Sequence, residues 1–143
     1  MTKLTAAFLG SGHFAARCLE LISERLRPEW VLTNAPRGAG RGLALRSTPV
    51  WELAQKLGLP AYTTERLSAD AERVEWIKAN APDVLLVIDF GHIIKEPLLS
   101  AAKYGCLNIH PSKLPEYRGS APLQRALMDG RANTAVSVFR LDA

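Results

Sequence analysis

Two cysteines, three histidines and a 7% aromatic content are all this chain offers to disulfide, metal or stacking chemistry. Cys18 and Cys106 stand far apart in apolar stretches. That spacing fits neither a disulfide framework nor a ligand cluster, so both are expected as buried free thiols. No His-Glu-x-x-His, Walker or Gly-x-Ser-x-Gly motif occurs, which leaves no pointer to a metal, a triphosphate loop or a serine nucleophile. No apolar run approaches the roughly 20 residues that cross a bilayer, and the N-terminus leads into a strand pattern rather than a signal-peptide core. A cytoplasmic domain without a membrane partner is expected. Acidic residues are missing altogether between Asn34 and Ser47, a stretch that holds Arg37, Arg41 and Arg46 among three glycines. The net charge of +4 is a mild bias toward anionic partners. A solvated surface loop and a phosphate-contacting loop explain the basic stretch equally well.

What is present is ordinary globular material. The 143 residues are 48% hydrophobic and 22% charged, enough for about one domain with its own core. Thr5 to Leu9 reads as a short buried strand, and His13 to Arg25 as a helix. Trp30 to Thr33 is a second strand, followed by a long loop to Ser47. Thr48-Pro49 opens a helix that Gly58 closes. Ala61 to Thr63 is a strand, and Ser68 is the expected N-cap of a helix through Ala79, with Val74 and Ile77 inward. Val84 to Ile88, apolar at every residue, is the clearest strand. A short helix over Pro97 to Ala102, a strand over Cys106 to His110, a helix over Pro122 to Met128 and a strand over Ala135 to Leu141 complete the pattern. Alternating strands and helices imply an α/β, Rossmann-like fold: a mostly parallel sheet with helices on both faces. Ligands in such sheets sit where the strands' carboxyl ends emerge. Gly10, Asp89-Phe90-Gly91 and Asn108 to His110 all fall at such ends.

Gly10-Ser11-Gly12 after a strand resembles the start of a dinucleotide fingerprint, but no acidic residue closes the second strand, which ends Leu32-Thr33-Asn34. A tight turn feeding a helix whose N-terminus can face an anion is the sounder reading. Asp89-Phe90-Gly91-His92 puts a carboxylate and a ring at the sheet's edge, with a turn as the simple explanation and His92 as a loop histidine. The densest chemistry is Asn108-Ile109-His110-Pro111-Ser112. On an extended strand Asn108 and His110 project from one face. An amide donor beside a titratable ring suits a reaction in which a carbonyl oxygen gains charge while a proton moves.

Leu107 to Pro115, followed by Tyr117-Arg118-Gly119 and Ala121-Pro122-Leu123-Gln124-Arg125-Ala126, resembles the signature of the folate-dependent formyltransferases. The Ala-Pro-x-Gln-Arg-Ala continuation is closest to those members that act on methionyl initiator tRNA. Phe8 to Ser11, Thr33 to Gly42 with Ser47 to Val50, and Asp83 to Ile94 match further along the chain. The resemblance implies an enzyme moving a formyl group from 10-formyltetrahydrofolate to the α-amino group of methionyl initiator tRNA, in translation initiation. Asn108 and His110 are then the catalytic pair. Asp89, Phe90, Gly91, Ser112, Lys113, Leu114 and Pro115 would meet the folate. Arg37, Arg41, Gly10 and Ser11 would meet the acceptor, and no metal is implied. The competing readings are formylation of a nucleotide-sugar amine or glycinamide ribonucleotide, and a non-enzymatic folate-binding remnant. The family also uses an aspartate that aligns a few residues past Ala143, Asp142 matching an earlier one. Residues 1–143 are therefore expected to be an N-terminal catalytic domain, incomplete at its C-terminal end, without the family's C-terminal tRNA-binding domain and inactive alone.

Overall fold

The computed structural model describes residues 3–39 and 44–142. Arg41, with Gly40 and Gly42, lies outside the described residues. In chain order the elements are β1 (Ala6–Gly10), α1 (His13–Ser23), β2 (Val31–Asn34), β3 (Arg37–Ala39), β4 (Ala44–Arg46), α2 (Pro49–Lys56), β5 (Ala61–Thr64), a single 3₁₀ turn (Leu67–Ala69), α3 (Ala71–Ala79), β6 (Val84–Ile88), β7 (Cys106–His110), α4 (Pro122–Met128) and β8 (Ser137–Arg140). Six strands form one sheet in the order β5-β2-β1-β6-β7-β8. The first five run parallel, and β8 returns antiparallel along β7. The expected α/β architecture is what the chain adopts.

β6 is apolar throughout because both its faces are covered. Leu85 and Val87 join one buried layer with Leu9, Leu32, Ile77, Leu98 and Leu99. Leu86 and Ile88 join the opposite layer with Phe8, Val31, Leu19, Val50 and Ala54. α2 opens as its sequence indicates, with Pro49 in the first turn and Thr48 Oγ1 accepting from Trp51 N at 3.1 Å.

Four expectations are corrected. Residues 37–39 and 44–46 of the expected loop are strands, since β3 and β4 pair as an antiparallel hairpin with Arg37 opposite Arg46. Backbone pairing needs no apolar alternation, and β4 is exposed along its length, so no period marked it. The N-cap of α3 is Asp70, not Ser68. Asp70 Oδ1 accepts from Arg73 N at 3.0 Å while its Oδ2 accepts from Thr64 Oγ1, and Ser68 sits inside the preceding 3₁₀ turn. Residues 97–102 form successive turns rather than a helix. The Leu98 carbonyl, which an α-helix would hand to Ala102, accepts instead from Ala101 N and Cys106 Sγ. Cys106 is buried, and burial with Glu96 nearby pushes its thiol up to about 11. Cys18 is only half-buried, on the flank of α1.

Asp83, just before β6, fastens the start of β1: its Oδ2 accepts from Thr5 N at 2.9 Å and from Thr5 Oγ1 at 3.1 Å. These bonds, the backbone N–H foremost, hold its pKa below the ordinary 3.8. A depressed carboxylate pKa stabilises the fold above its unfolded value, and that stabilisation is lost as pH falls through the folded one. Asp83→Asn is therefore expected to flatten the loss of melting temperature on acidification below pH 3.8. Thermal melts stepped downward in pH check this, and an unchanged slope contradicts it.

Candidate active site

The carboxyl end of β7 opens into a cleft of about 770 Å3 lined by Asn108, His110, Leu114, Pro115, Arg118, Gly119, Phe139 and Asp142. Asn108 and His110 are both half-buried and share the cleft, as their spacing on a strand requires. The antiparallel return of β8 sets Phe139 directly opposite Asn108 and Ser137 opposite His110. A second cavity of about 380 Å3 lies between the 3₁₀ turn, α3 and residues 93–98. Its charged lining is Glu75, Lys95 and Glu96, with no histidine or side-chain amide, so it offers none of the β7 chemistry.

The His110 ring is fixed by the loop that follows it. Its Nε2 lies 2.9 Å from the Tyr117 carbonyl. A carbonyl only accepts, so Nε2 carries the hydrogen and Nδ1 is the nitrogen left for proton exchange. Tyr117 is itself anchored: its hydroxyl donates to Asp129 Oδ2 at 2.9 Å and accepts from Arg131 Nε at 3.1 Å. The Arg125 guanidinium covers its ring at 5.7 Å and donates to the Arg118 carbonyl. Helix α4 thus holds the loop whose carbonyl orients His110.

Ser112 and Lys113 stand apart from the cleft lining. Ser112 is fully buried, its hydroxyl donates to the Glu116 carbonyl at 2.7 Å, and its carbonyl accepts from Ser137 Oγ at 2.7 Å. It shapes the loop from within. Lys113 is exposed, while Leu114 and Pro115, joined by a cis peptide, are the loop residues that do line the cleft.

The other residues singled out gather at a neighbouring edge formed by β1, β2 and β6. Ser11 is buried, and its Oγ accepts from Asn34 N and Thr33 Oγ1. Ser11 N and Gly12 N both donate to the Asp89 carbonyl. Asp89 is exposed as a residue, yet its carboxyl lies against Gly12, whose Cβ, if present, would fall 1.9 Å from Oδ2. Burial there pushes the Asp89 carboxyl above the ordinary carboxylate range, and His13 pulls the other way. Phe90 is a core residue, its ring edge-on to His92. Gly91 turns the chain with a φ of +75°, and Arg37 is exposed on the hairpin. Among the described residues no group of three or more His, Cys, Asp or Glu could hold a metal, and no helix is long and apolar enough to cross a membrane.

Arg118, Phe139 and Asp142 carried no assigned role in the sequence reading, though they help form the cleft. Phe139 reaches it through a long-range strand pairing that local patterns do not encode. Arg118 lay inside the signature motif, which was the signal available for it.

A Rossmann-like sheet with an amide and an imidazole converging at its carboxyl edge defines the structural class. Within it the chain belongs to the formyl transferase family, whose sequence profile matches residues 4–143. It is 39% identical over 136 residues to a methionyl-tRNA formyltransferase of Rickettsia prowazekii (strain Madrid E), covering 95% of this chain and 45% of that protein. It is 42% identical over 141 residues to the enzyme of the same name from Methylobacterium sp. (strain 4-46), covering 98% and 45%. The chain therefore spans just under half the length of these relatives. Its fold matches a phosphoribosylglycinamide formyltransferase from Streptococcus pneumoniae TIGR4 with a TM-score of 0.75 and 25% identity, covering 98% of this chain and 74% of that one.

Proposed function

We propose that this chain carries the formyl-transfer site of an enzyme that moves a formyl group from 10-formyltetrahydrofolate to the α-amino group of methionyl initiator tRNA. The observation that carries the reading is the convergence of Asn108 and His110 on one cleft at the end of β7. The identity to methionyl-tRNA formyltransferases over nearly the whole chain favours this acceptor.

As the amine adds to the formyl carbon, its oxygen gains charge, and the Asn108 amide donates a hydrogen bond to it. As the C–N10 bond breaks and tetrahydrofolate leaves, the proton given up by the amine reaches N10 by way of His110 Nδ1, the ring nitrogen left free because the Tyr117 carbonyl occupies Nε2–H. In its protonated form that nitrogen is a second, charge-assisted donor to the same oxygen. Leu114, Pro115 and Phe139 supply apolar walls for the flat ring system of the folate. Asp89, Phe90 and Gly91 act on the donor from the adjoining strand end, and Ser112 and Lys113 act by supporting the loop. Gly10 and Ser11 form the turn beneath the acceptor side, where Arg37 and Arg41 bring positive charge to tRNA phosphates.

Grafting residues 3–142 in place of the matching segment of the Methylobacterium relative tests the assignment. The chimera is expected to formylate methionyl initiator tRNA with 10-formyltetrahydrofolate. The fold shared with a phosphoribosylglycinamide formyltransferase supports a second reading, so glycinamide ribonucleotide is the other acceptor to supply. Transfer to the ribonucleotide alone overturns the tRNA assignment, and transfer to neither favours a folate-binding remnant. For the acceptor surface, Arg37→Ala is expected to weaken tRNA binding and lower the slope of log affinity against log salt by about 1. Filter binding across a salt series measures it, and an unchanged slope removes Arg37 from phosphate contact.

A further inference from the structure

The basic hairpin is pinned at both of its feet. Asn34, the last residue of β2, precedes it, and Thr48, the N-cap of α2, follows it. Thr48 Oγ1 lies 2.6 Å from Thr33 Oγ1, which donates to Ser11 Oγ at 3.2 Å. At the other foot, Asn34 Nδ2 donates to the Phe90 carbonyl at 3.1 Å. That bond fixes the amide's orientation, so Oδ1 faces His92 and His92 Nε2, 2.5 Å away, must be the donor. The His92 ring is edge-on to Phe90, with centroids 4.8 Å apart. His92 is thus not a free loop histidine. One side chain of β2 grips the turn after β6 at two points, a backbone carbonyl and a ring.

We propose that Asn34 and His92 are positioning residues that lock the root of the β3–β4 hairpin to the turn after β6, holding the Arg37 surface at a fixed spacing from the strand end at residues 89–91. The functional half of this rests on the reading that Arg37 meets the acceptor. Burial, then the Arg37 charge, keeps the His92 pKa below its ordinary value, so the neutral ring with hydrogen on Nε2 is the form present near neutral pH.

Three variants of this chain separate the lock from general stability. His92→Ala removes the ring donor and is expected to speed amide hydrogen exchange in the hairpin strands about tenfold, the factor for one lost hydrogen bond. Exchange in β1 and β6 stays as in the parent. His92→Gln, whose amide can donate to the same oxygen, restores most of the protection. Asn34→Asp keeps the acceptor for His92 but loses the donor to Phe90. It gives intermediate exchange and an upward shift of the His92 titration followed by NMR. Initiator tRNA affinity falls with His92→Ala and recovers with His92→Gln, while folate binding is unchanged. The proposal is overturned if hairpin exchange does not change in His92→Ala, if sheet and hairpin speed up together, or if glutamine fails to rescue. Hairpin loosening with unchanged tRNA affinity keeps the lock and instead removes the tRNA reading of Arg37.

Discussion

Replacing Asn108 with alanine in the grafted enzyme lowers formyl transfer about a hundred- to a thousandfold, the cost typical of losing one oxyanion donor. Asn108 sits in the middle of β7, between Val87 on β6 and Phe139 on β8, so its backbone is held whatever its side chain. It is half-buried and lines the cleft, so truncation leaves solvent or a small void rather than an unpaired core group. The loss should therefore fall on kcat, with the donor and acceptor KM values changing little, because the oxygen accepts the bond most strongly once it is charged. Asn108→Asp is the sharper variant. It preserves shape but replaces an N–H donor by a carboxylate that repels the developing charge, and a larger loss than alanine is expected. Steady-state kinetics on both variants decide the role. Activity within a few-fold of the parent for alanine, or aspartate outperforming alanine, removes Asn108 from oxyanion stabilisation.

The parts of this architecture that were readable from sequence are those fixed by local pattern. Residues 84–88 are apolar at each position because both sheet faces are covered, and the strand spans the range its sequence marks. Asn108 and His110 share a cleft because a strand repeats every two residues. Thr48-Pro49 opens a helix because a hydroxyl can cap it and a proline needs no donor there. What escaped the sequence depends on groups with no residue-specific signature or on partners distant in the chain. The acceptor that orients His110 is a backbone carbonyl, that of Tyr117, which any residue could supply. Phe139 enters the site only because β8 returns antiparallel in a register that sets it opposite Asn108. Ser112, expected to meet the folate, is buried, and its bond to the Glu116 carbonyl folds the loop back over it. Asp70 displaced Ser68 as a cap because its carboxylate serves Arg73 N and the Thr64 hydroxyl together.

The largest stability loss from a single added methyl group is expected at Gly10. Neither Gly10 nor Gly12 has a positive φ, so any requirement for glycine in this turn is one of space. A Cβ at Gly10 would lie 2.6 Å from the Ile88 carbonyl oxygen, 2.7 Å from Phe8 Cε1 and 2.9 Å from Ala15 Cβ. Gly10 is paired with Ile88 in the β1–β6 register, so that oxygen cannot retreat without loosening the sheet's centre. Ala15 and Phe8 are both fully buried and hold the first turn of α1 against the strands. Overpacking of this kind costs about 1–3 kcal/mol, only partly offset by the smaller unfolded-state entropy of alanine. At this chain length that is a fall of roughly 2–10 °C in melting temperature. At Gly12 the obstacle is different. The nearest atom is Asp89 Oδ2, the tip of a side chain on an exposed residue that can rotate away. Gly12→Ala should therefore cost less than Gly10→Ala, and the Asp89→Ala background should remove most of its cost while leaving that of Gly10→Ala untouched. Calorimetric melts of Asp89→Ala and of both glycine variants in the parent and Asp89→Ala backgrounds give the answer. Equal losses at the two glycines would mean that the Asp89 carboxyl is held against the turn as firmly as the backbone of β6.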